Sequence, residues 1–196
     1  MRIFLTGASC VGKTTIGKKM GELMGFRFFD LDYEIESFFG TSIERLQNQS
    51  FTIKNFRDEA AKALVDLLKR PESRDCVIAL TPAGLLGGYW RVVKKASGIT
   101  VVLTDKPENI LERLSFYDID TKLIEMELTN EEKKYYLRDI KKDLTYFNTS
   151  YKRADLQVDI SGLNPDQAAC KVIEIVEEFN RKRQMVNPLR TPNNQN

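Results

Sequence analysis

The sequence predicts an α/β fold in three layers, α/β/α, around a five-stranded parallel sheet. Three observations lead there. Five short apolar runs, at residues 2–6, 26–29, 76–80, 99–103 and 156–160, are separated by stretches with helical periodicity, and strands alternating with helices make parallel sheets covered on both faces. The first run ends in a glycine-rich turn, Gly7 to Gly12, that leads straight into a helix. The 196 residues show no internal repeat and no second domain, and one domain of that size buries roughly 70% of its unfolded surface.

Taken in order, residues 2–6 form the first strand, and a helix follows over 13–24 with Ile16, Met20, Leu23 and Met24 on one face. The second strand, 26–29, stops at Asp30-Leu31-Asp32. Residues 33–70 read as helix in pieces. Gly40-Thr41-Ser42 breaks them, Ser42 caps the piece beginning at Ile43, and Phe56, Ala60, Ala63 and Leu67 make a face before Pro71. The third strand, 76–80, runs into the breakers Thr81-Pro82-Ala83-Gly84 and Gly87-Gly88. After the fourth strand Pro107 opens a helix carrying Ile110, Leu111 and Leu114. The pattern lapses over 116–129. Thr129-Asn130-Glu131-Glu132 then reads as a capping box for a long amphipathic helix. The fifth strand precedes a last helix that starts at Asn164-Pro165. One domain is expected over 1–183, with a flexible tail over 184–196.

Composition narrows the chemistry. A net charge of +2 with both signs interspersed indicates no nucleic-acid face. No apolar run approaches the roughly 20 residues of a membrane span, and the apolar start of the chain is too short for a signal peptide. Cys10, Cys76 and Cys170 are far apart and there is no histidine, which argues against zinc and disulfides and for a cytoplasmic, reducing location. With histidine absent, any catalysis falls to carboxylates, Lys or Arg, backbone amides or a metal. Arg181, Lys182, Arg183 and Arg190 form either a partner contact or a solvated helix end.

The segment Gly7-Ala8-Ser9-Cys10-Val11-Gly12-Lys13-Thr14 matches GxxxxGK[ST] in the strand–loop–helix setting that gives the motif its meaning. Its amides and the helix N-terminus form an anion cup. Lys13 reaches the β- and γ-phosphates and the Thr14 hydroxyl ligates Mg²⁺, so Gly7 through Thr15 is the expected nucleotide site. Cys10 is either a small filler or a thiol activated by the helix N-terminus. No Asn-Lys-x-Asp guanine-reading segment is present, which favours ATP. Asp30 and Asp32 lie beyond a strand's carboxyl end, where α/β sheets bind ligands. Two apart on an extended segment, both can face the cleft; the alternative is that Asp32 caps a helix while Asp30 is solvated.

On these stations the chain resembles the shikimate kinase family over residues 2–179. They are the loop, Phe29-Asp30-Leu31-Asp32-Tyr33-Glu34-Ile35-Glu36, Gly40-Thr41-Ser42-Ile43, Phe56-Arg57, Val101-Val102-Leu103 leading to Arg113, and Ala154-Asp155. The resemblance implies a P-loop kinase with a helical lid at about 115–130 and acceptor-binding helices at about 33–70. It implies ATP and Mg²⁺ as cofactors, a hydroxylated small molecule as substrate, and a monomer or weak homodimer. By the same resemblance Asp30 helps hold Mg²⁺, Asp32 binds the reacting hydroxyl, Arg57 grips a substrate carboxylate, and Arg113 with Pro165 sandwiches adenine. Lys13 and Asp32 are the expected catalytic residues. A guanidinium fork suits a carboxylate; the alternative for Arg57 is a solvated side chain.

Four departures fall mostly on the substrate side. The family's three glycines after the third strand are Thr81-Pro82-Ala83-Gly84 here, and Pro82 lacks an N–H. The family's glutamate beyond Phe-Arg is Ala60, and Glu59 is about 100° away around the helix. The lid, 115–122, has no arginine, leaving Lys122, Lys133 or Arg138 as candidate substitutes. A second carboxylate-binding arginine is missing, with Arg153 out of register. The acceptor is therefore shikimate or another polyol, sugar acid or nucleoside. Intact Lys13, Thr14, Asp30 and Asp32 weigh against a nucleotide-binding module with little catalysis.

Overall fold

A computed structural model describes residues 1–186. Five strands, β1 (Arg2–Thr6), β2 (Arg27–Asp30), β3 (Cys76–Ala79), β4 (Ile99–Thr104) and a later one, Leu156–Asp159, make a parallel sheet. Two short strands, β5 (Phe116–Tyr117) and β6 (Leu123–Ile124), form a separate antiparallel hairpin, so the fifth sheet strand is β7 and the sheet order is β2-β3-β1-β4-β7. Side chains alternate across it. Ile3, Leu5, Val77, Val101 and Leu103 face one core, while Phe4, Cys76, Ile78 and Val102 face the other.

The first core is covered by α1 (Lys13–Met24) and α8 (Pro165–Val186), and Ile110 from α6 (Pro107–Glu112) joins it. The second is covered by α2 (Leu31–Phe39), α4 (Ile53–Lys69) and α5 (Gly87–Val93), with Phe147 and Tyr151 from α7 (Asn130–Tyr151). The short α3 (Ile43–Asn48) starts where Ser42 accepts the Arg45 amide, and Thr129 and Glu132 make both bonds of the capping box that opens α7.

Three features differ from the sequence reading. Gly87-Gly88 opens α5 instead of only breaking the chain. A Cβ at Gly88 would lie 2.6 Å from the Arg57 carbonyl oxygen, so the missing side chain lets α5 pack directly on the α4 backbone. The lid contains the β5–β6 hairpin where the resemblance implied helix. Finally, α8 runs through Val186, past the expected domain end at 183; the rest of the expected tail, with Arg190, lies outside the described residues. No helix among the described residues is long and apolar enough to cross a membrane.

Candidate active site

The strands' carboxyl ends carry two adjoining cavities. The first, of ≈ 640 Å³, surrounds the β1–α1 loop and is lined by Ser9, Cys10, Gly12, Lys13, Thr14 and Thr15, with Asp30, Asp32, Pro82, Arg113 and Tyr117 opposite. Its floor is set by backbone shape. Gly12, at φ 107, caps α1 without any side-chain bond to the helix amides, leaving them free for an anion. Gly7, at φ 143, lies where a Cβ would come 2.5 Å from the Leu103 carbonyl oxygen. Cys10 also has a positive φ, 57, uncommon outside glycine. Ala8 and Val11 are buried in the core beneath, so they anchor the loop and offer the cavity only their backbone.

Lys13 folds back across the loop. Its Nζ donates to the carbonyls of Gly7 at 3.1 Å and Ala8 at 2.8 Å. Burial lowers its pKa, and the charges of Asp32, Cys10 and Asp30 oppose that shift. Thr14 Oγ1 donates to Asp30 Oδ2 at 2.6 Å, while Asp30 Oδ1 accepts the Asp32 amide at 3.1 Å. Asp30 is thus the cap of α2, the reverse of the alternative in which Asp32 caps. That bond turns Asp32 into the first turn of α2 and toward the cleft.

Asp32 lines both cavities. Its carboxyl meets water in the open cleft, yet the walls crowd it. Loss of solvation and then the Asp30 charge push its pKa up to about 6, against the pull of Lys13.

The second cavity, of ≈ 300 Å³, is assembled from distant parts of the chain: Ile43 and Gln47 of α3, Phe56 and Arg57 of α4, Thr81-Pro82-Ala83, Tyr89 of α5, and Asp143 and Phe147 of α7. Arg57 Nη1 donates to Tyr146 Oη at 3.3 Å, and the guanidinium carbon sits 5.9 Å from that ring's centre. Glu59 pairs with Lys62 and does not brace Arg57. Arg153 does not enter the cavity; it donates to the Leu85 carbonyl at 2.8 Å and lies over Trp90. Thr81 and Gly84 close a tight turn at 2.9 Å, so the Gly84 amide is already used.

Arg113 lines the first cavity, tied to the buried Asp105 carboxylate and, at 3.2 Å, to the Cys10 carbonyl. Pro165 is exposed at the first position of α8 and is not part of that cavity's lining. The structure therefore brings Lys13, Thr14, Asp30, Asp32, Arg57 and Arg113 to one cleft, with Pro165 outside its lining. The segment expected as a lid is tied by its tip to α2 and α3. Arg45 donates to Asp120 Oδ1 through Nε at 3.0 Å and Nη2 at 2.8 Å, Ser42 Oγ donates to the Ile119 carbonyl at 2.6 Å, and Thr121 Oγ1 donates to Glu36 at 2.8 Å. Lys122 and Lys133 are exposed, and Arg138 lies over the Tyr135 ring.

Tyr89, Asp143 and Asp105 escaped the sequence reading. No spacing links residues so far apart.

Comparison with known proteins fits this geometry. The sequence profile described as shikimate kinase matches residues 9–177. The chain belongs to the shikimate kinase family. Among its relatives, the shikimate kinase of Caldicellulosiruptor bescii is 30% identical over 177 residues, covering 88% of this chain and 94% of that one. The bifunctional shikimate kinase/3-dehydroquinate synthase of Thermotoga maritima is 30% identical over 185 residues, which is 91% of this chain but 33% of the bifunctional protein. Among solved structures, a shikimate kinase from Acinetobacter baumannii in complex with shikimate has a TM-score of 0.70 at 26% identity, covering 90% of this chain and 93% of that one. The resemblance seen in the sequence is borne out at the level of family and fold. The chain is a shikimate kinase-like, ATP-dependent phosphotransferase, a P-loop kinase acting on a hydroxyl.

Proposed function

We propose that the acceptor is a small polyhydroxylated acid held between Asp32 and Arg57, with shikimate the first compound to test, and that the γ-phosphoryl group of ATP passes to one of its hydroxyls. The observation that carries this reading is the position of Asp32 in the walls of both cavities. The naming of shikimate draws on the relatives, one of which was solved with that molecule bound.

In this reading the loop amides of Gly7 to Thr15 receive the phosphates and Lys13 presents its ammonium to the transferring group. The Thr14 hydroxyl and Asp30 carboxylate are hard oxygen donors 2.6 Å apart, and no cluster of three His, Cys, Asp or Glu exists among the described residues. That sparse set fits Mg²⁺, which keeps waters and shares phosphate oxygens. Thr14 and Asp30 would hold it, and when bound it supplies charge neutralisation for the phosphates. Asp32 orients the acceptor hydroxyl and takes its proton as the new O–P bond forms and the bond from the γ-phosphorus to the oxygen of the departing ADP breaks. Arg57 pairs with the acceptor's carboxylate. Arg113 forms one side of the adenine site, with Pro165 as its proposed partner on the other. All these groups come from one chain, so a monomer suffices, with α2 to α4 as the acceptor-binding segment and residues 115–129 as the lid. Three free cysteines suit a cytoplasmic setting.

A second acceptor class is favoured by one observation: the cavity is lined by Arg57 and no second arginine, and α7 brings Asp143 to its wall. A neutral polyol or a sugar with a single acidic group suits that wall better than a doubly clamped carboxylate. Coupled ADP release with shikimate separates the two. Turnover above the acceptor-free rate supports shikimate. Its absence, with MgATP still raising the melting temperature, excludes shikimate and turns the search to other hydroxylated ligands.

A further inference from the structure

We propose that the Tyr89 hydroxyl is a binding group for the acceptor, donating to a second oxygen of the molecule that Asp32 and Arg57 hold. Nine in ten or more buried polar groups find a partner in folded proteins, so the exceptions point to sites. Among the described residues four buried side-chain polar atoms lack one, and three of them, Arg57 Nε, Thr81 Oγ1 and Tyr89 Oη, belong to residues lining the acceptor cavity. Their concentration there is what a ligand-binding wall leaves when its ligand supplies the partners.

Tyr89 is the most informative of the three. Its side chain is 0% exposed and packs in the core under the cavity, so its position is fixed. It sits near enough to Asp32 and Arg57 for both charges to act on its ionisation, yet it is hydrogen-bonded to neither. Burial holds the phenol protonated, as a donor. The seat is structural: Gly88 presses α5 onto the Arg57 carbonyl, and Asp58 and Arg91 pin the two helices at 2.7 Å. Tyr89 thus lines the same cavity as Asp32, which orients the reacting oxygen, and Arg57, which grips the far end of the acceptor. A polyol held in that cavity by Asp32 and Arg57 carries further oxygens that the Tyr89 hydroxyl can bond. A site built to bond a hydroxyl also rejects analogues lacking it, because its own donor is then stranded.

The inference rests on the acceptor reading above, and Tyr89→Phe tests it apart from that reading. The ring and its packing stay; only the hydroxyl goes. Shikimate and MgATP are the probes for wild type and variant, in ADP release and in thermal melts. The expected result is a roughly 10-fold higher acceptor KM with the ATP KM unchanged, and a smaller melting shift on adding shikimate. Without acceptor, the variant melts at or above the wild-type temperature, because the lost hydroxyl had no partner in the protein. An unchanged acceptor KM overturns the inference. So does a lower acceptor-free melting temperature, which would show that the hydroxyl is bonded within the fold. If wild type ignores shikimate, shikimate is excluded as the acceptor, and an acceptor-free melting temperature of Tyr89→Phe below that of wild type still overturns the inference.

Discussion

The phosphate cradle and the acceptor cavity meet at Asp32, but they are built in different ways. The cradle is nearly contiguous: Gly7 to Thr15 supply the loop, and the strand beside it supplies Asp30. The acceptor cavity gathers Gln47, Arg57, Thr81, Tyr89 and Asp143 from four helices and a turn. A contiguous site is held by local backbone geometry, such as the positive φ of Gly7 and Gly12, and shows in the sequence as a motif. A dispersed site is held by packing, such as α5 seated on α4 through Gly88, and shows only once the chain is folded. The first kind resists change because a side chain at Gly7 would strike the Leu103 carbonyl; the second can be remodelled one wall at a time.

That contrast is open to three substitutions. The largest effect is expected for Lys13→Ala, which removes the ammonium from the cradle. We expect kcat to fall by roughly 10³-fold or more, with acceptor binding by calorimetry retained. Loss of acceptor binding along with turnover would mean that the two sites are not separable.

Asp32→Asn comes next, because it touches both sides. A kcat loss of about 10²- to 10³-fold is expected. Wild-type kcat/KM should fall as the pH drops through about 6, where Asp32 takes up a proton, and the variant should lose that limb. The stability sign is opposite to that of a salt-bridged acid. Its folded pKa lies above the ordinary 3.8, so ionised Asp32 costs stability above about 6, and the cost fades as the pH falls toward 3.8. The variant should therefore melt no lower than wild type at pH 8. A pH profile unchanged by the substitution would place the titrating group elsewhere.

Arg57→Ala should have the smallest of the three effects and the most selective. A roughly 10- to 100-fold rise in acceptor KM is expected from loss of a charge-assisted contact, with the ATP KM unmoved. If ATP affinity changed instead, Arg57 would belong to the cradle.

Much of the fold was legible for the same physical reason as the cradle. The strand pattern and the start of α1 follow from short-range periodicity and one motif, and Thr129 with Glu132 marked α7 within four residues. What was not legible depended on contacts between distant segments. Gly87-Gly88 read as breakers because nothing local says that the Arg57 carbonyl presses against Gly88. The lid hairpin pairs two strands of two residues each, too short to show alternation. The capping role fell to Asp30 and not Asp32 because Leu31, at the start of α2, is fully buried, which sets where the helix begins. Tyr89 was invisible as a site residue: in sequence it is one more aromatic on an apolar face.

The account turns on Asp32 joining a phosphate cradle to an acceptor cavity. A crystal structure with MgADP and shikimate bound tests that most directly. The account expects an acceptor hydroxyl at hydrogen-bond distance from the Asp32 carboxylate, facing the loop of Gly7 to Thr15, with the carboxylate of shikimate on Arg57. Shikimate bound away from Asp32, or nucleotide phosphates outside the loop, would contradict it.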